Sequence, residues 1–345
     1  MRIPGTNKLQ RTLISLRKKL ADSKGLILMY HRVAEVDLDP WHLCVTPKHF
    51  AEQLEVLQKH ACPLSLKEFL QKHHKGEIPK RAVVVTFDDG YADNLYNAKP
   101  LLEHYGIPAT IYVSTGYLGQ EREFWWDELQ RLLLQPGKLP EKLTLEINGQ
   151  INHWELGKAK HYSREHYNSD RKCKAWSAKP GSRMFFYYTI WQTLLPLSPQ
   201  ERIKVLNELL IWANTNLIVR DTYRSLLSDE LSVLGQGELI EIGAHTVTHL
   251  FLSKQPLALQ KDEIKQSKID LEKILNRSVT SFSYPFGNLS KATVELTKSA
   301  GFNSACSTVE DIVWQKSDRF QLPRVAVENW NGEKFLTRLL RWFDN

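Results

Sequence analysis

The chain has 345 residues, 42% hydrophobic, 25% charged and 10% aromatic, with a formal net charge of +7, which is near the average for folded globular domains and excludes a disordered or fibrous chain. The basic residues are spread along the chain without a nucleic-acid-binding motif, so nucleic acid is not an expected partner. The longest apolar runs, such as Leu26-Ile27-Leu28-Met29-Tyr30, are strand-length and well short of the ~20 residues of a transmembrane helix.

Residues 1–23 combine Arg2, Lys8, Arg11, Arg17, Lys18 and Lys19 with Leu9, Leu13, Ile14, Leu16 and Leu20. They have neither an apolar core segment nor a small-residue cleavage site, so they read as a short basic amphipathic helix and not as a signal peptide. The expected role is a solvated cap, with weak membrane-surface contact as the other outcome, and the expected location is cytoplasmic or membrane-peripheral. From residue 24 onward, β-branched runs predict strands near 26–31, 82–88, 109–113, 239–244, 280–285, 303–307 and 322–328. Helical periodicity falls between them, near 47–60, 91–105, 256–275, 290–300 and 332–343. Gly106-Ile107-Pro108 ends the second of these helices, while Ser290 and Gly301 bracket the fourth. The alternation predicts an α/β fold in which about seven parallel strands form a distorted (β/α) barrel across residues 24–345.

Residues 118–238 break the rhythm and read as a large insertion, since a βα unit rarely needs a hundred residues between strands. Phe124 to Leu129 opens a helix there, Leu143–Ile147 and Ile151–Trp154 flank Asn148-Gly149 as a hairpin, and Pro199 to Leu217 is helical. Lys158 to Arg183 is polar and basic and reads as a solvated loop, the sharper alternative being a wall that attracts an anionic polymer or lipid phosphate. Cys44, Cys62, Cys173 and Cys306 are too scattered for a disulfide framework or a thiolate metal site. Nothing in the sequence sets an oligomeric state.

Three strand ends carry chemistry. Val83-Val84-Val85-Thr86-Phe87-Asp88-Asp89-Gly90 is an apolar strand ending in adjacent carboxylates, placed where parallel-sheet folds bind ligands. Such a pair is costly unless a cation or proton relieves it; an isolated DDG is equally well a helix cap beside a solvated neighbour. Ile240-Glu241-Ile242-Gly243-Ala244-His245-Thr246-Val247-Thr248-His249 ends in two histidines four apart. Both imidazoles can therefore face one point, and two histidines with one carboxylate leave open coordination positions for a hydrolytic metal site. Phe282-Ser283-Tyr284-Pro285-Phe286-Gly287-Asn288 must turn sharply at Pro285, which frees the N–H of Phe286 or Gly287 as an oxyanion donor beside Tyr284; a plain turn is the bland alternative.

In this order on successive strands, TFDDGY, HTVTH and SYPFG resemble the polysaccharide deacetylases, the NodB-homology enzymes of carbohydrate esterase family four. Tyr30-His31-Arg32-Val33 and Leu322-Pro323-Arg324-Val325 extend the resemblance to the branch that includes poly-N-acetylglucosamine deacetylases. It covers roughly 24–118 and 226–340. The resemblance implies hydrolysis of N-acetyl groups on amino sugars of a polysaccharide or its precursor, with Asp88 as general base and Asp89, His245 and His249 holding a divalent metal. Zinc is the expected ion because hydrolysis needs a Lewis acid without redox change, and cobalt, nickel or manganese suit the same ligands. Two departures stand out. Ser283 occupies the position where many members carry an arginine that holds the base, so Arg324 is expected to replace it. The usual C-terminal histidine donor is missing, and the branch's N-terminal histidine points to His31 as the acid.

Trp41, Trp125, Trp126, Trp314 and Trp330 are loop-proximal, where sugar rings stack, although most are expected in the core and Trp125 and Trp126 cannot face one direction. Two other functions compete: an inactive carbohydrate-binding protein on the same barrel, favoured by Ser283, and a two-histidine, one-carboxylate iron oxygenase, disfavoured by the α/β alternation.

Overall fold

The computed structural model describes residues 24–344, so the expected basic helix at 1–23 lies outside the described residues. Seven parallel strands curl into a half-barrel: β1 (Lys24–Tyr30), β2 (Ala82–Phe87), β3 (Ala109–Val113), β4 (Ile240–Ala244), β5 (Ser281–Ser283), β6 (Ser304–Cys306) and β7 (Val325–Ala326). Their spatial order is β6-β5-β4-β3-β2-β1-β7. Leu322 bridges Cys306 in parallel just before β7 pairs with β1, so one short segment touches both ends of the sheet.

The two-residue period of the strands sorts side chains into two layers. Leu26, Leu28, Val83, Val85, Ile111 and Ile242 pack outward against Phe50, Leu54, Leu102, Ile264, Leu271, Phe335 and Leu339 of the surrounding helices. Ile27, Val84, Tyr112, Cys306 and Leu322 point the other way and fill the barrel with Phe69. Gly243 makes room for this filling: it pairs with Tyr112 across the β3–β4 ladder, and a Cβ there would stand 2.4 Å from the Tyr112 ring.

The helices agree with the periodicity at Pro47–His60, Leu257–Leu275, Lys291–Ser299 and Gly332–Asp344, and Ser290 forms a capping box with Thr293. Three expectations are corrected. The helix expected over 91–105 starts as a π turn, Asn94–Ala98, before the α-helix Lys99–Tyr105. A further helix, Leu66–Lys75, escapes the periodicity because it buries only Leu66, Phe69 and His73; Ser65 caps it and Gly76 closes it at φ 69. The strand expected over 322–328 shrinks to Val325–Ala326, because Pro323 has no N–H and the Arg324 N–H turns to the Val309 carbonyl.

Residues 124–210 supply most of a second core, joined by Leu38 and Tyr91, whereas Leu226, Leu231 and Leu234 pack with the barrel core. Helices Trp125–Leu133, Arg183–Leu194 and Pro199–Trp212 bury Trp125, Leu129, Tyr187, Ile190, Leu206 and Leu209 against Leu143, Leu145 and Ile147 of a hairpin. The hairpin turns at Asn148 and Gly149, both at positive φ as a type I′ turn requires. The expected solvated loop at 158–183 is instead ordered, with the strand His161–Tyr162, the helix Arg164–Asp170 and a 3-10 turn at Ala175–Ser177. Its anchors, Tyr162, Tyr167 and Ala175, are buried, and Arg183 donates to the carbonyls of Ala159, Leu133 and Lys160 at 2.6, 3.0 and 2.8 Å. Composition hid this because the lysines and arginines outnumber the anchors. Among the described residues no helix is long and apolar enough to cross a membrane.

Gly243→Ala is expected to destabilise the protein by about 1–3 kcal/mol, the usual cost of overpacking a filled core, measured as a lowered midpoint in urea with unchanged slope.

Candidate metal centre and reaction pocket

The carboxyl ends of β1, β2, β4 and β5 meet at one mouth of the half-barrel. Asp88 and Asp89 follow β2 directly, and the backbone flips between them, since Asp89 lies at φ 78 and Gly90 at φ 84. This strained left-handed turn sends the two adjacent carboxylates in different directions. The histidine pair depends on a similar device, because Thr246 at φ 62 and His249 at φ 51 fold the chain back after β4. The imidazole centroids of His245 and His249 end 4.8 Å apart.

Asp89, His245 and His249 are buried, and one ligand atom from each lies within 4.8 Å of the others. Asp89 Oδ1 stands 3.5 Å from His245 Nε2 and 3.2 Å from His249 Nε2. Bonds of about 2.0–2.2 Å to a common ion would space ligand atoms by roughly that much. His245 Nδ1–H donates to the Ser283 carbonyl at 2.8 Å, which fixes its tautomer and turns the Nε2 lone pair toward Asp89. Asp89 Oδ1 is buried without a hydrogen-bond partner, which is costly for a carboxylate and fits a cation. Burial pushes His249 down to about 4, keeping it in the neutral form a metal ligand needs. The donor set thus fits a divalent cation.

Asp88 sits outside this cluster. Arg324 reaches in from the segment before β7, and its Nη1 and Nη2 donate to the Asp88 Oδ1 and Oδ2 at 2.7 and 2.6 Å. Nη2 also donates to Ser283 Oγ at 2.8 Å, Nη1 to Thr86 Oγ1 at 3.1 Å, and Nε to the Ser307 carbonyl at 2.9 Å. Burial opposes ionisation of Asp88, but Arg324 holds its carboxyl below the ordinary range. The contact expected between Arg324 and Asp88 is therefore present, and Ser283 is its partner rather than a gap.

His31 lines the same cavity, about 510 Å3, with Asp88, Asp89, His245, His249 and Phe286. Its backbone carbonyl accepts from Asn94 Nδ2 at 3.0 Å. The third motif divides. Phe286, at φ 57, packs on His249 at 4.4 Å between ring centroids. The Tyr284 phenol points the other way into the core and donates to the Phe320 carbonyl at 3.0 Å. The Gly287 N–H, one of the two alternative donors, donates to the Tyr284 carbonyl at 2.8 Å, and a Cβ at Gly287 would meet Thr308 Oγ1 at 1.9 Å. Of the two alternatives, this leaves the Phe286 N–H as the candidate backbone donor.

Trp191, Trp176, Leu195, Phe251 and Thr308 stand in no motif, yet they line the cavity with Trp41 and Trp126. Trp126 packs on His249 at 4.6 Å and its indole N–H donates to the Tyr91 hydroxyl, which donates to Asp127. Trp125 faces the core, so the adjacent pair divides as its spacing requires, while Trp314 and Trp330 lie outside the cavity.

The family model described as polysaccharide deacetylase matches residues 75–137 and 211–305. Poly-beta-1,6-N-acetyl-D-glucosamine N-deacetylase of Staphylococcus aureus strain MSSA476 is 34% identical over 116 residues, 30% of this chain and 40% of the relative. The Staphylococcus epidermidis protein of that name is 35% identical over 114 residues, covering 29% of this chain and 39% of its own. The chain thus spans about two-fifths of the length of the curated relatives it matches. Streptococcus pyogenes deacetylase PplD, solved in complex with acetate, superposes with a TM-score of 0.56 at 20% identity over 92% of this chain and 98% of its own. IcaB from Ammonifex degensii also gives 0.56, at 16% identity over 93% and 97%. These likenesses establish the half-barrel fold.

Titration of the metal-free protein with zinc in a calorimeter is expected to saturate at one ion per chain. Asp89→Ala, His245→Ala and His249→Ala should each weaken binding severely, and Asp88→Asn should retain it. Equal loss in Asp88→Asn would put that carboxylate among the ligands.

Proposed function

We propose that this chain, which carries a polysaccharide deacetylase domain, is a zinc-dependent hydrolase that removes N-acetyl groups from amino sugars of a polysaccharide. The observation that carries this reading is the pairing of two carboxylates with opposite surroundings: Asp89 shares a buried point with two imidazoles, whereas Asp88 is clamped by a guanidinium outside it. The names of the staphylococcal relatives support the substrate class.

Asp89, His245 and His249 would hold the cation, which supplies Lewis acidity to the amide carbonyl and to the hydrolytic water. Asp88 takes the proton of the attacking water. Arg324 occupies one lone-pair direction on each of its oxygens, and a carboxylate retains others to accept with. The clamp keeps Asp88 ionised and oriented, so it serves at acidic pH as well as at neutral pH. The Phe286 N–H is the backbone donor assigned to the carbonyl oxygen as it gains charge. His31 protonates the departing amine, which leaves poorly without a proton.

Two outcomes test these roles. Asp88→Asn should retain metal while acetate release from N-acetylglucosamine oligomers falls about 10²–10⁴-fold, and Arg324→Met should move the acidic limb of the pH–rate profile upward. The sign follows from the folded state: Arg324 lowers the Asp88 pKa, so its removal lets the carboxylate protonate at higher pH. The same change leaves a buried charge unpaired and should cost about 3–5 kcal/mol of stability.

His31→Ala should lose about 10²–10⁴-fold in kcat on the amide and recover on an aryl ester whose leaving group needs no proton. Equal loss on both substrates would remove His31 from the acid's role.

A further inference from the structure

The cavity's rings form a series leading away from the metal centre. Phe286 contacts His249 at 4.4 Å, Trp191 contacts Phe286 at 6.0 Å, Trp41 contacts Trp191 at 4.3 Å, and Trp176 stacks on Trp41 at 6.0 Å with an interplanar angle of 29°. Exposure changes along the series. Trp126, beside His249, is 4% exposed, whereas Trp176 at the outer end is 51% exposed. An indole left half in water adds little to a core, and one that borders a reaction cavity has a face to offer.

The turn that carries Trp176 is held in place. Ala175 is buried and its N–H donates to the Pro40 carbonyl at 2.9 Å, and Arg171 Nε donates to the Asp37 carbonyl at 2.7 Å. Lys174 pairs with Glu328 at 2.6 Å, with its ammonium 5.2 Å from the Trp176 ring centroid. Trp41 is fixed in turn by its indole N–H, which donates to the Tyr187 hydroxyl at 2.6 Å. The indole pair is therefore preorganised, which lowers the cost of ordering it around a ligand.

Few side chains here can serve sugar hydroxyls. Apart from the metal triad, Asp88 and His31, the cavity walls offer Thr308 and otherwise tryptophan, phenylalanine and leucine. A cavity of about 510 Å3 is also far larger than an acetyl group requires. We infer that Trp176, stacked on Trp41, is a specificity-determining platform that binds the C–H face of a pyranose ring in the same polymer, next to the unit being deacetylated. The inference rests on the deacetylase reading for the identity of the polymer. It assigns to residues 118–238 a part in substrate choice, since Trp176 and Trp191 both come from that segment. A platform removed from the metal centre reads chain length: a monomer occupies the site beside Phe286 and Trp126 and leaves Trp176 bare, while an oligomer covers both.

The test uses the full-length, metal-loaded protein and β-1,6-linked N-acetylglucosamine oligomers of one to five units. Trp176→Ala is expected to lower the ratio of kcat/KM for the pentamer to that for the monomer by roughly tenfold, with the change in KM, and Trp176→Phe should restore most of it. An unchanged ratio, or equal loss on monomer and pentamer, would overturn the platform. Calorimetric binding of the pentamer to Asp88→Asn, with and without Trp176→Ala, separates the two readings. If wild type releases no acetate from any oligomer, the deacetylase reading fails, while roughly tenfold weaker pentamer binding on loss of Trp176 would still support the platform. Pentamer binding that is absent from Asp88→Asn, or indifferent to Trp176, would overturn it.

Discussion

A guanidinium and a carboxylate with almost no water around them set the terms for this site. Arg324 and Asp88 are both buried, and they meet through two short hydrogen bonds. Desolvating two charges costs several kcal/mol each, and their attraction offsets this only if the geometry is good and the remaining donors are used. Here the remaining donors go to Ser283, Thr86 and Ser307, so one side chain ties β2, β5 and the end of β6 to the segment before β7. The pair closes the floor of the cavity. It also explains why the position of Ser283 needs no larger side chain: the hydroxyl accepts from an arginine that arrives from elsewhere in the chain.

Asp89, which shares a buried point with two imidazoles, and the clamped Asp88 are separated by one peptide bond and a positive φ. Had Asp89 followed Asp88 in extended conformation, alternation would have sent the side chains to opposite faces, one of them into the outer layer of Leu26, Val83 and Ile111. The left-handed turn keeps both at the mouth but with different partners. His249 needs the same kind of turn to come back beside His245. Strain is thus concentrated where ligand atoms must converge, while the barrel strands beneath are regular.

How much of this could be read from the sequence depends on whether a feature is local. The apolar runs ending in Asp88-Asp89-Gly90 and in His245 are local, and so was their place at strand ends. The clamp by Arg324 spans more than two hundred residues; it was legible only because the resemblance left a vacancy at Ser283 to be filled. Tyr284 was grouped with the site because it stands in the motif, but alternation across Ser283, Tyr284 and Pro285 turns its phenol toward Phe320. A proline turn leaves one donor over, at Phe286 or Gly287, and the short 3-10 turn uses the Gly287 N–H. The aromatic wall was illegible for another reason: Trp176 sits in a run of lysines and arginines whose composition matches a loop, and the few buried anchors that order it are outnumbered.

The span between Asp88 and Arg324, 236 residues, matters while the chain is being made. At synthesis rates of about 5–20 residues per second, Asp88 leaves the ribosome some 12–47 seconds before its partner does. Throughout that interval β2 holds a carboxylate without the guanidinium that offsets its desolvation, so the mouth of the barrel closes dry only after residue 324 has emerged. The second core, drawn mostly from residues 124–210, can consolidate before this pair forms, so the Asp88–Arg324 contact sets late. A stall in translation ahead of residue 324 would release a chain whose Asp88 has no guanidinium to accompany it into the interior.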